Sequence, residues 1–137
     1  MDYAALKQTA SAMVAPGQGI LAMDESNPTC GKRLQAVSED NTEANRIAYR
    51  CICCWARRSP GQLHQWRHFL YDETIRQSNQ DGKPFTELIQ KQDILIGIKV
   101  GAGAEELALR AGEKVTEGLD GLRERLEEYQ TFRRKVL

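Results

Sequence analysis

Between Val14 and Ser26 the chain reads V-A-P-G-Q-G-I-L-A-M-D-E-S: a Pro-Gly turn, a short apolar run, then an abrupt stop on two acids and a hydroxyl. Turn residues fix where the run starts, and its composition suits a strand buried in a parallel sheet. Asp24, Glu25 and Ser26 then stand at the strand's carboxyl end. In parallel α/β folds the loops that follow the strands converge there and carry the chemistry.

A second run, I-L-I-G-I-K-V from Ile94 to Val100, is the clearest strand pattern in the chain. It is apolar on both faces, as a strand covered on both sides requires. Lys99 interrupts it near its end, where a buried ammonium needs a partner or a route to solvent. Helical patterns separate the two runs. Residues 2–14 read as an amphipathic helix closed by Pro16 and Gly17. Residues 31–37 suit a short helix, and Asn41-Thr42 offers an N-cap for a helix reaching about Arg50. Residues 70–75 read as a strand end passing into a turn, and 85–91 as a helix. After a Gly- and Ala-rich stretch to about Thr116, Leu119, Leu122, Leu126 and Tyr129 mark an amphipathic helix over 118–136. Strands alternating with helices predict a parallel α/β sheet.

The 137 residues suffice for one small domain. A complete eightfold α/β barrel takes ~250. Nineteen basic and nineteen acidic residues cancel, which leaves no charged footprint for nucleic acid or a membrane surface. No apolar stretch approaches the ~20 residues of a membrane-spanning helix, and the N-terminus lacks the pattern of a signal peptide. A soluble, cytoplasmic protein is expected, with Cys30, Cys51, Cys53 and Cys54 as thiols.

Seven stretches in order resemble class I fructose-bisphosphate aldolase, the Schiff-base-forming, metal-independent lyase of glycolysis and gluconeogenesis. After residues 14–26 come G-K-R-L at 31–34, N-T-E-A-N-R at 41–46, Y-D-E-T at 71–74, D-G-K-P-F at 81–85, G-I-K-V at 97–100 and T-E-G-L-D-G-L at 116–122. The resemblance implies an incomplete parallel (β/α)8 TIM barrel, its N-terminal part through about the fourth strand, with residues 1–137 as a single N-terminal fragment. The implied reaction is reversible aldol cleavage of fructose 1,6-bisphosphate to glyceraldehyde 3-phosphate and dihydroxyacetone phosphate. No cofactor and no metal are implied, and the complete enzyme is expected to be a homo-oligomer.

Residue by residue, the resemblance makes Asp24 the active-site aspartate that positions substrate and assists proton transfer, and Lys99 the lysine that supplies charge to a substrate phosphate. Ser26 and Thr29 match hydroxyl positions near that phosphate, Arg33 falls nearby, and Arg134 stands in for a further arginine. Hydroxyls and a point-charge ammonium suit a phosphate, and a carboxylate facing a lysine is held ionised. Three departures count against activity of this chain alone. Gly101 and Ala102 stand where the family has Asp-Lys, and the ending F-R-R-K-V-L departs from the family's F-A-K-W-R-x-V-L. The family's acid/base glutamate and imine-forming lysine are unmatched, and without the amine the covalent route cannot run.

Residues 51–68, C-I-C-C-W-A-R-R-S-P-G-Q-L-H-Q-W-R-H, are foreign to the pattern. Both tryptophans, both histidines and three of the four cysteines fall there, where the family has a strand close to I-S-G-V-I. His64 to His68 can be encoded by CAT CAG TGG CGT CAT, and those letters read one base forward give I-S-G-V-I. The segment is therefore expected to be out of frame, and the second strand to be the weakest element. Cys51 and Cys54 with His64 and His68 have zinc-ligand character, but the spacing between the pairs is shorter than a zinc finger's. Vicinal Cys53 and Cys54 beside arginines suggest thiol chemistry, without a resolving architecture.

Plain readings stand beside these. Asp24 suits a turn or helix-cap carboxylate, Lys99 a side chain reaching solvent at a strand end, and the last helix a solvated face. Three function classes follow: the aldolase lyase, a non-catalytic fragment, and a small phosphate-binding module built on Ser26, Thr29, Arg33 and Lys99.

Overall fold

The computed structural model describes residues 2–55 and 66–132. Arg134 and His64 lie outside the described residues, as do the side chains of Cys53 and Cys54. The chain divides into two compact units, Met1–Ile98 and Lys99–Leu137.

The first unit opens with α1 (Tyr3–Met13), whose N-cap Asp2 accepts hydrogen bonds from the amides of Ala4 and Ala5 at 3.0 and 3.2 Å. Strand β1 (Gly19–Met23) follows the Pro16-Gly17 turn, as the sequence predicts. Next come α2 (Asn27–Gln35) and α3 (Glu43–Trp55). The latter runs five residues past Arg50, since 51–55 contain no Gly or Pro to stop it. Strand β2 (Trp66–Leu70), α4 (Asp72–Arg76), α5 (Phe85–Gln90) and β3 (Ile96–Ile98) complete the unit. Residues 72–76 are thus one helical turn where the sequence suggests a strand end and turn. Asp72 and Glu73 in that turn favour a helix N-terminus.

The three strands form one sheet in the order β1-β2-β3, all parallel, with Gly19 opposite Trp66 and Phe69 opposite Gly97. Gly97 has a mechanical reason to be glycine. A Cβ there would stand 2.6 Å from the Phe69 ring, so the aromatic face occupies the space that a side chain needs. The core comprises Met23, Cys30, Leu34, Leu70, Ile75, Phe85, Ile89 and Ile94, all buried. His68 joins it at 1% exposure, a titratable ring in a strand whose neighbour Leu70 is wholly covered.

In the second unit, β4 (Gly103–Glu106) and β5 (Lys114–Glu117) pair antiparallel, and α6 (Leu122–Thr131) follows. Among the described residues three strands are parallel, and an antiparallel hairpin follows them. Both hairpin strands are exposed throughout, so no buried face was available to give an alternating pattern. Helix α6 starts at Leu122 rather than Gly118, because Gly118 and Gly121 both adopt positive φ. Arg125 closes the unit by donating to the carbonyls of Gly118 (2.6 Å) and Val100 (3.2 Å).

Candidate active site

Asp24 is the first residue after β1 and is half-buried at the carboxyl end of that strand. Ser26 follows as the N-cap of α2, and Thr29 lies in the first turn of that helix. Their hydroxyl oxygens are 3.1 Å apart. Pro28 suits this helix start, because its missing N–H is one that the first turn leaves without an intrahelical acceptor. The Ser26 side chain makes no capping bond, which leaves its hydroxyl on the Thr29 side of the turn. The structure therefore brings two predicted hydroxyls together just beyond the predicted carboxylate, at the positive end of a helix dipole.

Arg33 lies further along α2, and its guanidinium pairs with Glu25 at 3.2 Å. Tyr49 of α3 donates its hydroxyl to the same carboxylate at 3.1 Å. The Arg33 side chain is 55% exposed, so this ion pair is worth no more than ~1 kcal/mol and yields readily to a better anion. Lys99 is the exposed residue directly after Ile98 and begins the second unit.

Sequence reasoning missed a hydrogen-bonded charge cluster in the first unit. Glu73 of α4 accepts from Arg46 Nε (2.9 Å) and Nη2 (2.6 Å), and also from Arg50 Nη1. Arg50 is buried and gives a further bond to Gln77 Oε1 at 2.7 Å. Burial alone would raise the Glu73 carboxyl. Hydrogen bonds from both arginines, with their charges, outweigh it and bring Glu73 down to about 2. The same contact raises Arg46. Cys30, wholly buried beside this group, has its thiol pushed up by desolvation, which suits packing rather than nucleophilic chemistry. The available signal was the pair of opposite charges, Arg46 in N-T-E-A-N-R and Glu73 in Y-D-E-T, 27 residues apart.

Residues 5–133 match the family profile of class-I fructose-bisphosphate aldolase. The chain belongs to that family. It is 50% identical over 132 residues to the probable class 1 fructose-bisphosphate aldolase of Xanthomonas campestris, covering 96% of this chain and 39% of that one. Against the chloroplastic fructose-bisphosphate aldolase of Oryza sativa it is 47% identical over 126 residues, covering 90% and 31%. Among solved structures, the aldolase of Plasmodium falciparum, determined in complex with TRAP and a small-molecule inhibitor, superposes with a TM-score of 0.84 at 37% identity. That match covers 93% of this chain and 36% of the other. The chain thus spans about two fifths or less of the aldolases it matches. Among the described residues, no helix is long and apolar enough to cross a membrane, and no group of three or more His, Cys, Asp or Glu is placed to hold a metal ion.

Proposed function

We propose that this chain contributes the phosphate-binding start of a class I fructose-bisphosphate aldolase, acting on fructose 1,6-bisphosphate in reversible aldol cleavage without a metal. The observation that carries this reading is the Ser26–Thr29 hydroxyl pair, 3.1 Å apart on the first turn of α2 and two residues beyond Asp24. Two hydroxyls at a helix N-terminus donate to phosphate oxygens while the helix dipole favours the anion. Arg33 exchanges Glu25 for that phosphate, and Asp24 holds a substrate hydroxyl and takes part in proton transfer. Lys99 and Arg134 add positive charge, on the strength of the family resemblance alone. The incomplete (β/α)8 barrel, a cytoplasmic setting and a homo-oligomeric complete enzyme belong to the same proposal.

These 137 residues bind sugar phosphate but do not form the imine themselves. Calorimetric titration with fructose 1,6-bisphosphate, followed by borohydride treatment, tests both halves. Binding that Ser26→Ala weakens, with no trapped adduct, is the expected result. A trapped adduct would place an imine-forming lysine within this sequence. Absence of binding would leave the non-catalytic reading.

A further inference from the structure

Asn27 sits between the two hydroxyl residues, at the first position of α2. A side chain there normally faces solvent, yet this one is held at both ends. Its Oδ1 accepts from Arg50 Nη2 at 3.3 Å, and its Nδ2 donates to Glu73 Oε1 at 3.3 Å. Its backbone carbonyl accepts from Asn41 Nδ2 at 3.2 Å. Asn41 in turn accepts from Arg46 Nη1 through its Oδ1 (3.0 Å), and Arg46 grips Glu73. The bonds form a closed ring, Asn27–Asn41–Arg46–Glu73–Arg50–Asn27. Gly31 lets Asn41 approach, since a Cβ there would meet the Asn41 amide nitrogen at 2.6 Å.

We propose that Asn27 is a positioning residue for phosphate binding: clamped by Arg50, Glu73 and Asn41, it fixes the turn that holds the Ser26 and Thr29 hydroxyls on one anion. This rests on the phosphate reading of those hydroxyls and names the device that serves it. The Arg50 side chain is only 4% exposed, so the clamp is anchored in packed structure and cannot swing with solvent. A turn ordered before the ligand arrives loses less freedom on binding, which converts rigidity into affinity. The ring contributes no atom to the ligand. Its effect is on geometry, and an amide suits the task because it offers one acceptor to the arginine and one donor to the glutamate.

The test is titration of the full 137-residue chain with inorganic phosphate, at a temperature where melting curves show every variant folded. Asn27→Ala is expected to weaken phosphate about tenfold, the consequence of losing one or two ordering hydrogen bonds. Asn41→Ala, at an exposed position, should weaken it in the same direction and decides the matter should Asn27→Ala fail to fold. Arg76→Ala, which breaks an exposed ion pair with Asp72 elsewhere on the unit, should bind within about twofold of the wild type. A purely structural Asn27 would lower the melting temperature and leave the affinity of the folded population unchanged. That outcome overturns the proposal while Ser26→Ala still weakens binding. Should Ser26→Ala bind as the wild type does, the phosphate reading falls and the positioning role with it.

Discussion

Arg46 holds Glu73 with two parallel hydrogen bonds, Nε to Oε2 at 2.9 Å and Nη2 to Oε1 at 2.6 Å, and so joins α3 to α4 across 27 residues of sequence. Arg50 reaches the same carboxylate from the next turn of α3. A carboxylate shared by two guanidinium groups, with Gln77 and Asn27 completing the arginine's bonds, is a satisfied network rather than an isolated charge.

Removing that carboxylate should be costly. Glu73→Gln leaves two arginines facing each other with their partner neutralised, and ~3–5 kcal/mol of unfolding free energy is expected to be lost at pH 7. The urea midpoint of variant against wild type measures it. A change below ~1 kcal/mol would mean that the network is solvated and weak.

The same group sets an acid dependence. Glu73 ionises at about 2 in the folded chain against 4.5 for a free side chain. The unfolded chain therefore takes up the proton first, and stability falls as pH drops from about 4.5 towards 2. At ~1.4 kcal/mol per pH unit this amounts to roughly 3 kcal/mol. Urea unfolding across that range should show the slope in the wild type and lose most of it in Glu73→Gln.

Gly97→Ala is expected to destabilise by ~1–3 kcal/mol, because the new methyl group meets the Phe69 ring at 2.6 Å and the ring must turn aside within the sheet. Thermal melting reads the effect. Unchanged stability would show that the ring moves at no cost.

How much of this was legible in the sequence follows from where each signal lies. Residues 19–23 announced their strand because consecutive apolar residues have few other uses, and the run at 94–100 announced one that is shorter, Ile96–Ile98; Asp24 stands directly after the first. The helix at 85–90 was equally plain, with Phe85 and Ile89 one turn apart on its buried face. The β4–β5 hairpin was not, since G-A-E-E and K-V-T-E bury nothing and carry no alternation. Nor was the Arg46–Arg50–Glu73 ring: charged residues read as a solvated face until the fold shows that Arg50 is 3% exposed. Leu119 misled in the opposite direction. It keeps helical spacing with Leu122 and Leu126, yet it is 85% exposed and precedes the helix.

The foreign stretch carries its own expectation. Sequencing the gene across codons 45–75 should show codons for His64–His68 that read I-S-G-V-I one base forward. Codons incompatible with that reading would establish the written residues as the native strand, His68 included.

The most direct measurement is an amide-resolved NMR titration of the chain with fructose 1,6-bisphosphate. Saturable shifts are expected to concentrate at residues 24–33, around Asp24, Ser26, Thr29 and Arg33, and to be lost in Ser26→Ala. Shifts spread elsewhere, or none at millimolar ligand, would contradict a phosphate site at the start of α2.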